Sequence, residues 1–505
     1  MSRLGTAALS AAAAIGAGII ALTVRTPSRS AEWIREYQLT RHYLATADAN
    51  FDWVVARRKL DLPALDSATR QRIEHAWFSF GATAATRDFV SQFGDGHTWT
   101  RVRPGIWWRG VTARKNPRPV DASDLTAAEA PASSRGAELT PTMSAAVACS
   151  TVGLDVNARP DGWDLPFAKT PGALVVEDSE FPAVLVKVTG GRTVGILRVA
   201  NFGHEHFGPS CARAWYEYRS GLPVPCTGDC VDNFQAAVIR HIALRAAAVA
   251  NELQRRGAQM VVADITGNGG GSELADAMAR TLTATPLHIA AGGFIRHPLH
   301  ARDLADTRRA IAEDSAHATP VQQALIRIAE LRLDSLITEA ERECHRDRVW
   351  SGGVPDCSNV VIAPPVVSYL EPGALDGLTN GWAIWMPSWY KAPEGVYRGP
   401  LLVLQDHRSA SASEEFAARL RDNGAALIIG SRSYGAGCGY SNGGTSLELP
   451  ALGLLVRAPD CQRLRMDGSN ETEGIAPDVD AGWSRDDKPA DRVRKALDAI
   501  GRAMQ

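Results

Sequence analysis

The chain has 505 residues, with 54 Lys and Arg against 56 Asp and Glu, a formal net charge of −2, and 45% hydrophobic residues. That length allows two or three domains with a sizeable core. The even charge balance, with no basic stripe interleaved with aromatics, excludes an electrostatic nucleic-acid binder.

Arg3 precedes a small-apolar run from Leu4 to Val24 that Arg25 closes. Residues 1–30 therefore read as a secretory signal peptide or an uncleaved N-terminal membrane anchor, with Ser28-Arg29-Ser30 a poor cleavage site. Either reading exports the protein to the periplasm or the exterior, and the second tethers it to a membrane. Cysteine usage agrees with an oxidising compartment, since the chain carries eight: Cys149, Cys211, Cys226, Cys230, Cys344, Cys357, Cys438 and Cys461. Cys344 with Cys357 and Cys438 with Cys461 are the expected local pairs. The stretch Cys226-Thr-Gly-Asp-Cys230 near His204 and His206 lacks the spacing of a zinc site. No metal or other cofactor is expected.

From residue 31 to 103 the spacing of Ile73, Trp77 and Phe80 predicts a helical bundle ending near His97. Residues 104–190 form an intermediate β-rich region, including Ala183-Val-Leu-Val-Lys-Val188, without the loop pattern of a PDZ domain. The main α/β domain spans 191–485, with a helix at 236–256 and an inserted helical hairpin at 303–346. The hairpin's second arm carries Leu325, Ile328, Ala329, Leu333, Leu336, Ile337 and Ala340, an apolar stripe suited to packing, a lid or a contact in a homo-oligomer. The aromatic run Trp382 to Tyr390 suits packing or a substrate pocket. A C-terminal helix fills 486–505.

Two stretches of the main domain concentrate the chemistry. Gly399 to Gln405 is a short apolar run bounded by turn residues, which predicts a buried strand, and Ala412 to Asn423 places Phe416, Ala417 and Leu420 on one helical face. Ser411 then lies at a strand-to-helix turn, beside the unpaired N–H groups of the first helical turn. A capping role suits an isolated serine in that place. Upstream, the strand from Met260 runs into Thr266-Gly-Asn-Gly-Gly-Gly271 and a helix at 272–282. Consecutive glycines let backbone N–H groups approach a reacting atom, and the lack of a following Gly-Lys-Ser/Thr argues against a nucleotide loop.

Taken together, Val194-Gly-Ile-Leu-Arg-Val-Ala-Asn-Phe202, Asp264-Ile-Thr-Gly-Asn-Gly-Gly-Gly271, Ser409-Ala-Ser-Ala-Ser-Glu414 and Glu473-Gly-Ile-Ala-Pro-Asp478 resemble, in order, the core of the tail-specific or C-terminal processing serine peptidases. The resemblance covers roughly residues 190–485 and implies a crotonase/ClpP-like ββα core and peptide or unfolded protein as substrate. It makes Ser411 the nucleophile, with N–H groups of Gly270 or Gly271 and of Ala412 as the oxyanion hole. Two positions depart from the family pattern: Thr266 stands where arginine is usual, and Ala436 where the family has its lysine base.

A serine needs a base. Phe93-Gly-Asp-Gly-His-Thr98 resembles the histidine segment of the family's tricorn-like branch, and Asn470-Glu-Thr-Glu473 its glutamate segment. The resemblance makes His97 the general acid/base and Glu471 a member of its polar network, although Gly96 replaces that branch's serine. The alternative for His97 is a structural turn residue; His407 and Lys391 are weaker candidate bases. Alternative activities are an esterase or amidase on the same scaffold and an inactive homologue that binds peptides or lipophilic ligands.

Overall fold

The computed structural model describes residues 26–103, 126–127, 137–155, 163–441 and 444–505. The apolar run before residue 26 and residues 104–125, 128–136 and 156–162 of the intermediate region lie outside these residues. Four helices come first: α1 (Pro27–Ala47), α2 (Phe51–Arg58), α3 (Leu62–Glu74) and α4 (Ser79–Ser91). Strand β1 (Trp99–Val102) follows directly after His97. Among the described residues no helix is long and apolar enough to cross a membrane.

The main domain is built on a seven-stranded sheet of β2 (Leu174–Val176), β3 (Ala183–Lys187), β4 (Thr193–Arg198), β5 (Val261–Asp264), β8 (Leu401–Gln405), β9 (Leu427–Gly430) and β13 (Val479–Asp480). Its order is β13-β9-β8-β5-β4-β3-β2, parallel from β13 to β4 and antiparallel from β4 to β2. The sheet thus takes in residues 174–187, which the sequence reading assigns to the intermediate region. Side chains alternate strictly between its faces, as a pleated strand requires. Val184, Val194, Ile196, Val262, Leu402 and Leu404 pack with α10 (Pro489–Ala503) on one side. Leu185, Leu197, Val261, Ala263, Leu401 and Val403 pack on the other with α5 (Asp229–Arg255), α6 (Leu274–Thr281) and α9 (Ala412–Asp422). A parallel sheet covered on both faces explains why its strands read as continuous apolar runs.

The predicted helical hairpin is α7 (Pro298–Asp314) and α8 (Pro320–Glu341). A capping box opens α8: Thr319 Oγ1 accepts from the Gln322 N–H at 3.3 Å, and Gln322 Oε1 accepts from the Thr319 N–H at 2.9 Å. Of the expected stripe, Ala329, Leu333 and Ala340 are buried and Ile328 is exposed, while Ile326, which the stripe did not include, is buried in its place. Around the hairpin lie a three-stranded sheet of β6 (Gly292–Ile295), β7 (Val360–Ala363) and β12 (Cys461–Arg463), and a second small sheet. The latter pairs β1 with β11 (Leu454–Arg457) and β11 with β10 (Thr445–Leu449). Tyr37, Tyr43, Phe51, Phe89 and Phe93 of the N-terminal helices pack on Leu447, Leu449, Leu454 and Val456 of that sheet. This contact fastens the bundle, and with it the His97 turn, to the main domain. Trp77 and Phe80 do not join it: they are 75% and 66% exposed, because the connection between α3 and α4 breaks the helical period that would have turned them inward.

All eight cysteines are paired, Cys344 with Cys357 and Cys438 with Cys461 as expected, Cys149 with Cys211, and Cys226 with Cys230. Just before Cys461, buried Asp460 ties down the loop that carries Cys438: its N–H donates to the Gly439 carbonyl at 3.2 Å and its Oδ1 accepts from the Ser441 N–H at 2.7 Å. Its Oδ2 and the Nε2 of His300 lie 3.6 Å apart, each without a hydrogen bond. Burial pushes the Asp460 carboxyl up to about 7 and the His300 imidazole down to about 4. The stability from protonated Asp460 is therefore full below the ordinary carboxyl range and is lost as pH rises through about 7. Asp460→Asn keeps the Ser441 acceptor and can donate to His300, so it should exceed the wild type at pH 8 by about 1–2 kcal/mol, with less advantage at pH 5. Urea unfolding at the two pH values measures this; equal stabilities at pH 8 would contradict it.

Candidate active site

Ser411 sits between β8 and α9 with φ 57° and ψ −119°, a conformation that a non-glycine residue rarely holds. The turn is held on several sides. Ser409 Oγ donates to the Ile265 carbonyl at 2.8 Å, the Ala410 N–H donates to the Asn268 carbonyl at 3.0 Å, and Ser413 Oγ donates to that same carbonyl at 2.8 Å. Ser411 and Glu414 form a capping box at the start of α9, in which the Ser411 N–H donates to the Glu414 carboxylate at 3.0 Å. Ser411 also lines the cleft.

The glycine loop lies against this turn. A Cβ on Gly270 would come within 2.8 Å of Ser411 Cβ and 2.9 Å of the Ala412 nitrogen, and one on Gly271 within 2.0 Å of the Phe202 backbone. Positive φ of 109° and 151° adds to the demand for glycine at both positions. The Gly270 N–H is spent on Asn268 Oδ1 at 2.9 Å. On the other flank, the bridge to Phe202 uses the Gly270 carbonyl and the Ser272 N–H, so Gly271 keeps its own N–H out of that ladder. Gly271 and Ala412, and not Gly270, line the cleft with Ser411. Thr266 is compensated in space: Arg198, on the neighbouring strand, brings its guanidinium to buried Asp264 at 3.2 Å, while Thr266 Oγ1 donates to the same carboxylate at 2.7 Å. Breaking one side of such a buried pair costs about 3–5 kcal/mol, which makes Arg198 a fixture of the loop's base.

His97 and Glu471 line the same cleft of about 620 Å³. The His97 Nδ1 lies 3.1 Å from the Ala436 carbonyl. A carbonyl only accepts, so Nδ1 carries the proton and Nε2 keeps its lone pair. Asp95 Oδ1 accepts from the N–H groups of His97 and Thr98, both at 3.0 Å, and Tyr440 donates its hydroxyl to the His97 carbonyl. Gly439 faces the ring so closely that a Cβ there would lie 2.9 Å from Nε2. No direct hydrogen bond joins His97 to Ser411, a pair of the kind that commonly closes only when substrate binds. Glu471, buried, gives its carboxylate to Arg463 Nε at 2.7 Å, and Arg463 in turn donates to the Gly437 carbonyl at 2.8 Å and to Glu415 at 3.2 Å. Burial raises the Glu471 carboxyl above its usual range. Glu471 thus reaches the His97 side through Arg463 and not by touching the imidazole.

The space around Ala436 accounts for the departures at 96 and 436 together. A Cβ on Gly96 would lie 2.9 Å from Ala436 Cβ and 2.8 Å from the Tyr434 ring, and Gly96 has φ 103°. Serine does not fit at 96, and the 94–98 turn is packed against the point from which a lysine at 436 would extend. His407 is exposed and Lys391 lines a separate cavity, so neither reaches the cleft. Of the aromatic run, Met386 and Tyr390 line the cleft, and Tyr390 is buried with its hydroxyl on Asp276.

Burial lowers the His97 pKa below its ordinary 6.5, opposed chiefly by the charge of Asp95. A base must be neutral to act, so a lowered value keeps it active in more acidic solution. Labelling of Ser411 by a fluorophosphonate should rise with pH through a midpoint below 6.5 and stay level to pH 8; a midpoint near 7 or above would contradict this. Gly439→Ala should displace the ring and slow that labelling about tenfold or more, with little change in the thermal midpoint.

Residues 323–481 match the family model described as Peptidase family S41, a segment that includes Ser411 and Glu471. Two solved structures share the fold at low identity. Mature CPAF complexed with lactacystin is 13% identical, covering 94% of this chain and 98% of that one with a TM-score of 0.54. Mature CPAF alone is 14% identical, covering 94% and 96%, also at 0.54. The tricorn protease superposes at a TM-score of only 0.34, with 11% identity, 94% of this chain and 37% of that one, so the role of His97 rests on this chain's own residues.

Proposed function

We propose that this chain, whose residues 323–481 match the Peptidase family S41 model, hydrolyses peptide bonds through an acyl-enzyme on Ser411 with His97 as general acid/base. The observation that carries the reading is the pairing, in one cleft, of a strained strand-to-helix serine with an imidazole whose Nδ1 is committed to the Ala436 carbonyl. His97 Nε2 accepts the Ser411 proton as Oγ bonds to the scissile carbonyl carbon. The resulting oxyanion takes hydrogen bonds from the N–H groups of Gly271 and Ala412, donors of a kind that contribute about 2.7–4 kcal/mol each. Collapse breaks the C–N bond, and His97 returns the proton to the leaving amine. Water, deprotonated by the same nitrogen, then releases the acyl group. Glu471 and Arg463 act by position, fixing the Gly437 carbonyl beside the loop that holds His97.

Substrates of this class are peptides or unfolded proteins. Four disulfides support action in an oxidising compartment, and the run from Leu4 to Val24 supports export, with the same run as tether if it is retained.

The test is fluorophosphonate labelling followed by turnover of fluorescein-casein. Ser411→Ala should abolish both, and His97→Ala should slow both by about 10²–10⁴-fold. Undiminished labelling in His97→Ala would remove the histidine from the mechanism. Turnover of a p-nitrophenyl ester without casein hydrolysis would point to an esterase instead.

A further inference from the structure

Behind the cleft wall, next to Ser411, lies an acidic side chain that the proton transfers above do not use. Glu414, in the first turn of α9, is fully buried and has no cation paired with it. Five hydrogen-bond donors converge on its carboxylate, and Arg463 acts on it from beyond ion-pair distance. Oε2 accepts the N–H of Ser411 at 3.0 Å, of Ala436 at 2.8 Å and of Gly437 at 3.3 Å. Oε1 accepts the N–H of Gly435 at 2.7 Å and the Ser433 hydroxyl at 2.5 Å.

These donors come from two places that sequence keeps apart. One is the nucleophile itself, whose backbone is held at positive φ, and the rest belong to the loop from Ser433 to Gly437. That loop ends on the carbonyls that fix the base: Ala436 takes the His97 Nδ1 proton, and Gly437 takes Arg463. A fully ionised acceptor for several N–H groups forms stronger, shorter bonds than a neutral one. No neutral side chain can accept so many donors at once without placing an N–H or O–H of its own against one of them.

We infer that Glu414 is a positioning residue, a carboxylate strut that sets the distance and orientation between Ser411 and His97 by holding the nucleophile turn and the Ala436 loop on one group. The inference rests on the Ser411–His97 reading of the site. It also has an electrostatic consequence. The charges acting on the His97 ring are Asp95 and Glu414, which hold its pKa up, and Arg463, which pushes it down. Neutralising Glu414 therefore shifts the His97 titration to lower pH, an effect that a role in stability alone would not produce.

Glu414→Gln, nearly isosteric, is the deciding variant. Folded protein, checked by near-ultraviolet circular dichroism, should label with fluorophosphonate about 100-fold more slowly on the pH plateau, because a misplacement of about 1 Å suffices for that loss. The acid limb of its pH profile should lie below that of the wild type. A plateau rate within about threefold of wild type, with an unmoved acid limb, would overturn the inference. If Glu414→Gln does not fold, Ser433→Ala removes one donor from the strut and decides: a loss of about fivefold or more supports it, and an unchanged rate overturns it. Wild-type labelling that ignores His97→Ala would instead sink the underlying dyad, so the two failures are told apart.

Discussion

The hydrogen bonds converging on Glu414 join two halves of the site that the fold delivers separately. The central sheet delivers Ser411: β8 ends, the chain turns through a strained residue, and α9 begins. The N-terminal bundle delivers His97, through α4 on one side of its turn and β1 on the other. Neither element fixes the other's distance. The loop from Ser433 to Gly437 does, since it bonds to the Glu414 carboxylate on one side and to the His97 ring on the other. The remaining features of the cleft converge on that loop, through the Cys438–Cys461 disulfide, the Asp460 contacts and the Glu471–Arg463 pair.

The same loop explains why a histidine can serve where a lysine is expected. Ala436 and Gly96 are packed so closely that neither can grow, and the absence of one side chain is the condition for the approach of the other. The imidazole's Nδ1 proton goes to the carbonyl of the very residue that lacks the lysine. In the proposed mechanism, the small side chain at 436 and the placement of His97 are therefore two sides of one packing arrangement. On that side the loop keeps its buried ion pair because Arg198 crosses from the adjacent strand to Asp264.

Much of this could be read from the sequence wherever the signal was local. The strand before Ser411, the helix after it, the glycine loop, a helical hairpin (expected at 303–346, found at 298–341) and two disulfides follow from periodicity, turn residues and spacing. What could not be read depends on contacts between distant segments. Arg198 standing in for the residue at 266 has no mark in the local pattern, because the two meet only across a strand pair. Gly271 could be separated from Gly270 only once the bond to Asn268 and the Phe202 bridge were visible. An acid in a first helical turn suits the helix dipole and is common there, and the burial of Glu414 among loop N–H groups carries no sequence signature. Trp77 and Phe80 read as core because periodicity cannot see where one helix stops and the next begins.

The central claim is that His97 Nε2 takes the proton of Ser411, and a crystal structure of the wild-type protein phosphonylated at Ser411 tests it most directly. The account predicts Nε2 about 3 Å from the phosphonylated Oγ or the leaving-group position, with a phosphonyl oxygen held between the N–H groups of Gly271 and Ala412. An adduct in which the imidazole stays beyond the reach of one bridging water, or in which that oxygen points away from both N–H groups, would contradict it.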